Sequence, residues 1–565
     1  MAALFTTPKR NDKTSGAHFV EPDVRRRTLL AHGSWRRVTR RIVVGAVCAL
    51  TVSSLLMPSV SLAAERVNVG DTWYEAGAAV GDEAGTWAWN GADDMKLNGY
   101  NGGAIEAEGK LNVNYSGNNT VANDSGSGIR VTDGANENAE LNIKGDASST
   151  LNVTSSGDAI WSEGDINIDG AGTVNATSAE GDAIDAKGDL TIKGSGNAKA
   201  TEDQGIDAHE NLTIKGGGKV EASSAEDNAI WASGNIEIAG GSQVKANSKE
   251  DYAVKAIGGL TVTNASLNAT GVGYGVYAYK GITLDGATVT VRASAGNDEA
   301  SALFTDEDDI VIKNGSIVDA FAEGQFSTAI STRNYNPNEA GGHIYISDSV
   351  VKAIARYVES SSDGPDCYSA DLDGEITPER RGVNIGIFAQ TSEGIMPATI
   401  SIVRSKVTAE GDTAAIFALA MSADGKAIGT IEIEGASILT PEGGKVIDYR
   451  SKEELSDGTV YEAGQVIGTG DAVIDSPYDD AVAKRAVIAP SEETKPEEKP
   501  GETKPEGSKS EGTKTTKTVA VAATGAKTTG KLAATGDASS AAIVAAALAG
   551  TATIAAGAVV SRKRS

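Results

Sequence analysis

Two tryptophans set in near-identical phrases are the first residues that could do chemistry. Residues 157–178 read GDAIWSEGDINIDGAGTVNATS and residues 228–248 read NAIWASGNIEIAGGSQVKANS, so Trp161 and Trp231 hold the same place in each. An indole offers a broad apolar face with a polar edge, a combination that suits a sugar ring. With only 5% aromatic residues in the chain, the two indoles and the equivalent Tyr277 are candidates for gripping a glycan. Single apolar residues also occur on surfaces with no ligand at all. Acidic residues recur in the same phrases. Asp158 and Asp182 precede two of the Ile-containing segments, while Asp165 and Asp189 follow them, a series that Asn211 and Asn235 continue. Carboxylates on neighbouring repeats, helped by turn carbonyls, could supply the oxygen ligands Ca²⁺ prefers. Asp and Asn equally serve plain turns by bonding local backbone. No complete EF-hand loop is present, so Ca²⁺, the expected cation, has to be held between repeats.

Catalytic groups are scarcer. His209 and His343 are the only histidines beyond residue 63, and neither stands in a recognisable nucleophile or zinc motif. Acidic pairs are abundant, but abundance does not set the separation that glycoside hydrolysis requires. Arg292, Lys313, Arg333, Lys352 and Arg356 are available as proton acceptors for a lyase, without forming a specific signature. The chain is expected to bind rather than catalyse, with a polysaccharide lyase or hydrolase as one alternative and a structural adhesin for a host or bacterial protein as another.

What must position these residues is a repeat. A hydrophobic position recurs at Ile160, Ile184, Ile206, Ile230, Val254 and Val276, in steps of 24, 22, 24, 24 and 22 residues. Each unit carries three short alternating segments punctuated by Gly and Asn, the pattern of strands joined by tight corners. In the unit beginning at Asp158 these are Ala159 to Ser162, Asp165 to Ile168 and Thr173 to Ala176. The second segment is the clearest, with inward pairs such as Ile166/Ile168, Leu190/Ile192, Leu212/Ile214 and Ile236/Ile238. One such unit cannot bury its apolar face alone, whereas stacked units can. The fold class expected is therefore all-β, a parallel β-helix of about 22–24-residue coils; roughly 14 coils at about 4.8 Å each would span about 65 Å. Alternation then turns Trp161 and Trp231 outward, three coils or about 14 Å apart. Asp185, Asp207, Lys255 and Tyr277 share their column, with Phe304, Phe388 and Phe417 as looser continuations.

The ends indicate where the repeats work. Residues 1–63 carry a basic leader, including Arg25, Arg26, Arg27, Arg36, Arg37, Arg40 and Arg41, then the apolar run Ile42 to Leu56 and a small-residue cleavage site at Ser61-Leu62-Ala63. This is the order of a secretory signal. The whole chain has a formal charge of -27. Loss of the leader, with its ten basic and three acidic residues, leaves about -34, a charge that repels nucleic acid and anionic membranes. Only Cys367 would remain of the two cysteines, so no internal disulfide is possible. The expected order continues with an N-terminal cap at 64–90 containing Trp73, Trp87 and Trp89. The β-helix follows at 91–445 with an inserted loop at 357–384, then a closing segment at 446–489. Residues 490–531 mix Pro, Gly, Glu and Lys without apolar periodicity, as a disordered spacer does.

Residues 532–565 join Leu532-Ala533-Ala534-Thr535-Gly536 to the apolar segment Ala541 to Val560 and Arg562-Lys563-Arg564. This tripartite pattern resembles the sortase sorting signals of Gram-positive bacteria. It implies transient membrane contact, cleavage between Thr535 and Gly536 by a separate sortase, and attachment of Thr535 to peptidoglycan. The repeat phrase GDAI followed by G-D-[LI]-x-I, with Trp87-Ala88-Trp89 and Leu97-Asn98-Gly99-Tyr100-Asn101-Gly102-Gly103, supports a second likeness. It resembles bacterial surface proteins carrying a carbohydrate-binding β-helix module related to pectate-lyase folds. That resemblance implies a right-handed helix, a polysaccharide partner and, in some members, Ca²⁺.

Overall fold

Short strands with an aliphatic residue at every second position stack coil upon coil, each strand pairing in parallel with its equivalent one repeat later. The computed structural model describes residues 63–135, 139–334, 341–358, 383–391, 398–420, 429–448, 472–476 and 481–491. All of them belong to one compact unit. The leader up to residue 62, most of the 357–384 insertion, residues 492–531 of the spacer and the 532–565 sorting segment lie outside the described residues.

The chain folds as a right-handed parallel β-helix. In the regular part the first strands are Ile160–Ser162, Ile184–Ala186, Ile206–Ala208, Ile230–Ala232 and Val254–Ala256. The second strands, among them Asp165–Gly170, Leu190–Ile192, Leu212–Ile214 and Ile236–Ala239, form one sheet of their own. Third strands such as Thr173–Ser178 and Lys219–Ser224 share the other sheet with the first strands. Further on, Thr288–Thr305 and Ile317–Asn334 run as single strands through a third-strand position and the next first-strand position.

The register superposes like on like. Ile160 pairs with Ile184, Ile184 with Ile206, Ile206 with Ile230 and Ile230 with Val254. Leu190, Leu212, Ile236 and Leu260 form the parallel column on the second face. These side chains are buried in one continuous core. Each coil therefore completes the apolar face of its neighbour, which is why the repeat is the unit of stability.

One corner needs a particular backbone. Between the second and third strands, Asn264, Gly286, Asn314, Asp348, Arg404 and Gly435 hold the same register position, and all have positive φ, from 44° at Arg404 to 61° at Gly435. Asn, Asp and Gly tolerate that conformation best. This corner is one place where the repeats call for Asn or Gly.

Antiparallel elements finish the stack at both ends. Arg66–Val69 forms a hairpin with Thr72–Glu75 and lies antiparallel on Ile105–Glu108. Trp87 and Trp89 are buried, while Trp73 is exposed beneath the Arg66 guanidinium. At the far end, Arg485–Pro490 runs antiparallel to both Lys406–Glu410 and Ala436–Thr440. Ala472–Ser476 pairs with Ala414–Ala420 and Val446–Asp448.

Candidate functional site

Trp161, Asp185, Asp207, Trp231, Lys255 and Tyr277 are consecutive partners in the register of the first strands. They alternate with the inward aliphatic column and so leave the helix on its outer side. Both indoles are half-buried, one on each side of two aspartates. Arg130, one coil before, places its guanidinium 4.9 Å from the Trp161 ring. Lys255, one coil beyond Trp231, points its ammonium at the Tyr252 ring, 4.8 Å from the centroid.

The aspartates between the indoles are not surface groups. Asp185 is 2% exposed and Asp207 7%. Two residues further along, on the same side of the strand, come Lys187 and His209. Lys187 Nζ lies 2.7 Å from Asp185 Oδ2 and 2.7 Å from His209 Nε2. The same Nε2 is 3.1 Å from Asp207 Oδ2 and 3.6 Å from Asp185 Oδ1. The His209 ring meets Trp231 edge-on at 5.7 Å, and its backbone N–H donates to Ala186 O at 2.8 Å. Asp185 Oδ1 and Asp207 Oδ1 are buried and accept no hydrogen bond from any described group.

A second set of carboxylates closes the well from the corner preceding the strands. Asp158 Oδ1 accepts the backbone N–H of Asp182 at 3.0 Å, and Asp182 Oδ1 accepts that of Gln204 at 2.7 Å. Ligand atoms of Asp158, Asp182 and Asp185 lie within 4.8 Å of one another, as do those of Asp185, Asp207 and His209. The site can therefore hold a metal ion, with Asp185 common to both groups. Crowding has electrostatic consequences. Burial, together with Asp207, Asp203, Asp185 and Asp158, pushes the Asp182 carboxyl up to about 10. Burial also pushes Asp185 up to about 6, with Lys187 pulling the other way. The hydrogen bond to Asp207 holds His209 above the usual imidazole range.

Of the four acidic residues singled out from the sequence, the fold brings Asp158 and Asp182 together and sends Asp165 and Asp189 elsewhere. The latter two are exposed at the other end of the first strands. There Asp165 Oδ1 accepts the N–H of Asp189 at 2.9 Å, Asp189 Oδ1 that of Asn211 at 3.0 Å, and Asn211 and Asn235 continue the ladder to Gly259. Each side chain satisfies a corner amide of the next coil. Asp185, Asp207 and His209 are the additions that repeat spacing alone did not assign to a metal.

Tyr277 stands two coils from Trp231, packed within its own aromatic cluster. Its ring is stacked against Phe304 at 5.8 Å and its hydroxyl donates to Asp306 at 3.2 Å. Phe304 is buried, with the Arg333 guanidinium 4.9 Å from its ring. Phe388 and Phe417 pack together in a separate cluster with Ile447 and Val473 of the closing segment. The looser aromatic continuation of the column is thus covered by the protein itself. The five basic residues considered for a lyase all face acids: Arg292 and Lys352 meet Asp319, Lys313 meets Asp285, Arg333 meets Asp306 and Arg356 meets Glu410. His343 is buried near the start of the second strand Ile344–Ser347, away from the first-strand column.

No family model, curated protein or solved structure matches the chain. The repetitive parallel solenoid is a fold suited to presenting a ligand-binding surface. Among the described residues no helix is long and apolar enough to cross a membrane.

Proposed function

We propose that this is a secreted surface protein of a Gram-positive bacterium, linked by a sortase through Thr535 to cell-wall peptidoglycan, whose β-helix binds a polysaccharide or other glycan. The observation carrying the reading is the column Trp161–Asp185–Asp207–Trp231, in which two half-exposed indoles bracket a polar well. Rings about 14 Å apart match an elongated chain of sugars lying along the helix. Stacking on the indoles would supply apolar contact, and the well a fixed polar centre between them.

Ca²⁺ is the cation proposed for the oxygen-only group Asp158, Asp182 and Asp185, because hard cations take carboxylate and carbonyl oxygens. It would neutralise carboxylates that otherwise crowd one another. The proposed role is binding without turnover. Asp185 and Asp207 are too deeply buried, and too closely covered by Lys187 and His209, to flank a glycosidic oxygen from opposite faces.

A glycan array probed with the purified full chain, with and without Ca²⁺, tests the reading. Retention of a defined glycan, abolished in the Trp161→Ala/Trp231→Ala double variant with an unchanged β-rich circular dichroism spectrum, is the expected result. Retention that the double variant leaves intact removes the indoles from the site, and a blank array rejects glycan binding.

A further inference from the structure

The acidic well contains a positive charge of its own, and that charge stands where a metal would. Lys187 Nζ touches both Asp185 Oδ2 and His209 Nε2 at 2.7 Å. One imidazole nitrogen cannot accept a hydrogen bond from Lys187 and also donate one to Asp207, 3.1 Å away. Around it, Asp185 Oδ1 and Asp207 Oδ1 are buried without a donor. Buried carboxylate oxygens in that condition are costly, and native proteins seldom leave them so. A divalent ion resolves the conflict at Nε2 and brings a positive partner to the buried carboxylates, Asp185 Oδ1 among them. It takes the Nε2 lone pair, binds both carboxylates and needs no proton on any of them.

We infer that Asp185, Asp207 and His209 form a transition-metal site, for Zn²⁺ or an ion of similar borderline softness, in which the metal replaces the Lys187 ammonium. The donor set decides the class of ion: an imidazole with two carboxylates suits Zn²⁺ and its neighbours, whereas Ca²⁺ takes oxygen alone. Geometry agrees. Bonds of about 2.0–2.1 Å in a tetrahedron place ligand atoms about 3.4 Å apart. His209 Nε2 already lies 3.1 Å and 3.6 Å from one oxygen of each carboxylate. The His209 side chain is 40% exposed, so the site has an entry from solvent, and Trp231 fixes the ring from one side. Lys187 is 35% exposed at its side chain and can withdraw into water. The site is assembled from Asp185-Ala186-Lys187 and Asp207-Ala208-His209, strand ends that the coil register sets side by side.

This inference extends the cation reading to a second ion at the same well and does not depend on glycan binding. Calorimetry on the metal-free full chain with Zn²⁺, Ni²⁺ and Ca²⁺ alone tests it. One equivalent of Zn²⁺ is expected to bind more tightly than Ca²⁺. His209→Ala should weaken Zn²⁺ by roughly tenfold or more, in the range that follows loss of groups supporting a metal, with unchanged circular dichroism. Lys187→Met should tighten it several-fold by removing the competitor. Ni²⁺ should quench the Trp231 emission, a signal that Trp231→Phe removes. Zn²⁺ affinity that is absent, equal in His209→Ala, or lower than that for Ca²⁺ would overturn the site, and unchanged affinity in Lys187→Met would overturn the exchange. None of these readouts moves if only the glycan reading fails.

Discussion

Asp182 is a carboxyl that burial and acidic neighbours hold neutral well above the usual carboxylate range. Its neighbours Asp158, Asp185, Asp203 and Asp207 are acidic, and it is 6% exposed. A carboxyl whose folded value lies above its unfolded one, about 3.9, favours folding fully at pH below that value. The contribution is lost as pH rises through the folded value. For Asp185 that loss starts above the unfolded value and is complete just past about 6, and for Asp182 it continues towards about 10. In chelator, the melting temperature should therefore fall between pH 5 and pH 8. Asp182→Asn, which fixes the neutral form, should lessen the fall, and calorimetric scans across pH measure it. A melting temperature that climbs with pH in the wild type and is unaffected by the substitution would contradict this electrostatic account. The indoles and the Asp158/Asp182 pair were legible in the sequence because they repeat at the coil period. His209 was not, because its partners Asp185 and Asp207 are ordinary turn-and-strand acids until coil stacking joins phrases 22 residues apart. Asp165 and Asp189 form a ladder that caps backbone amides with the same periodicity as a ligand column, so spacing alone does not tell the two apart.

At the level of the strand, two positions separate packing from backbone. Ile206 lies between Ile184 and Ile230 and is fully buried, so Ile206→Ala should cost about 2–5 kcal/mol through lost contact and a residual cavity. Gly286 has φ +58°, and a Cβ there would meet Asn264 Oδ1 at 2.6 Å. Gly286→Ala should cost about 1–2 kcal/mol, chiefly by the left-handed backbone it imposes on alanine. Denaturant titration distinguishes both from neutral surface changes. Strand positions and inward residues were readable because alternation within a strand and repetition between coils encode the same face twice. The joined strands Thr288–Thr305 and Ile317–Asn334 were less so, since nothing in local alternation says that a third strand will run straight into the next first strand.

Over the whole molecule, a parallel stack has open edges that invite further chains. Here Arg485–Pro490 fills the gap between two third-position strands, pairing antiparallel with Lys406–Glu410 on one side and Ala436–Thr440 on the other, with Ala486 and Ile488 fully buried. Glu410 ties it down through Arg485 while also meeting Arg356. Ile488→Asp should detach this strand, leave Lys406–Glu410 and Ala436–Thr440 with unpaired edges, and produce concentration-dependent oligomers in size-exclusion chromatography with light scattering; a strictly monomeric variant would show that these edges do not recruit further chains.

The register of the first strands has a further consequence. Because every coil contributes one and only one residue to the outer column, the distance between Trp161 and Trp231 can change only in whole coils, about 4.8 Å at a time. Duplication or loss of a repeat would leave the core intact and shift one indole against the other by a fixed increment. The gauge of the surface is thus written in the number of repeats, and is open to revision by unequal recombination without a single new packing solution.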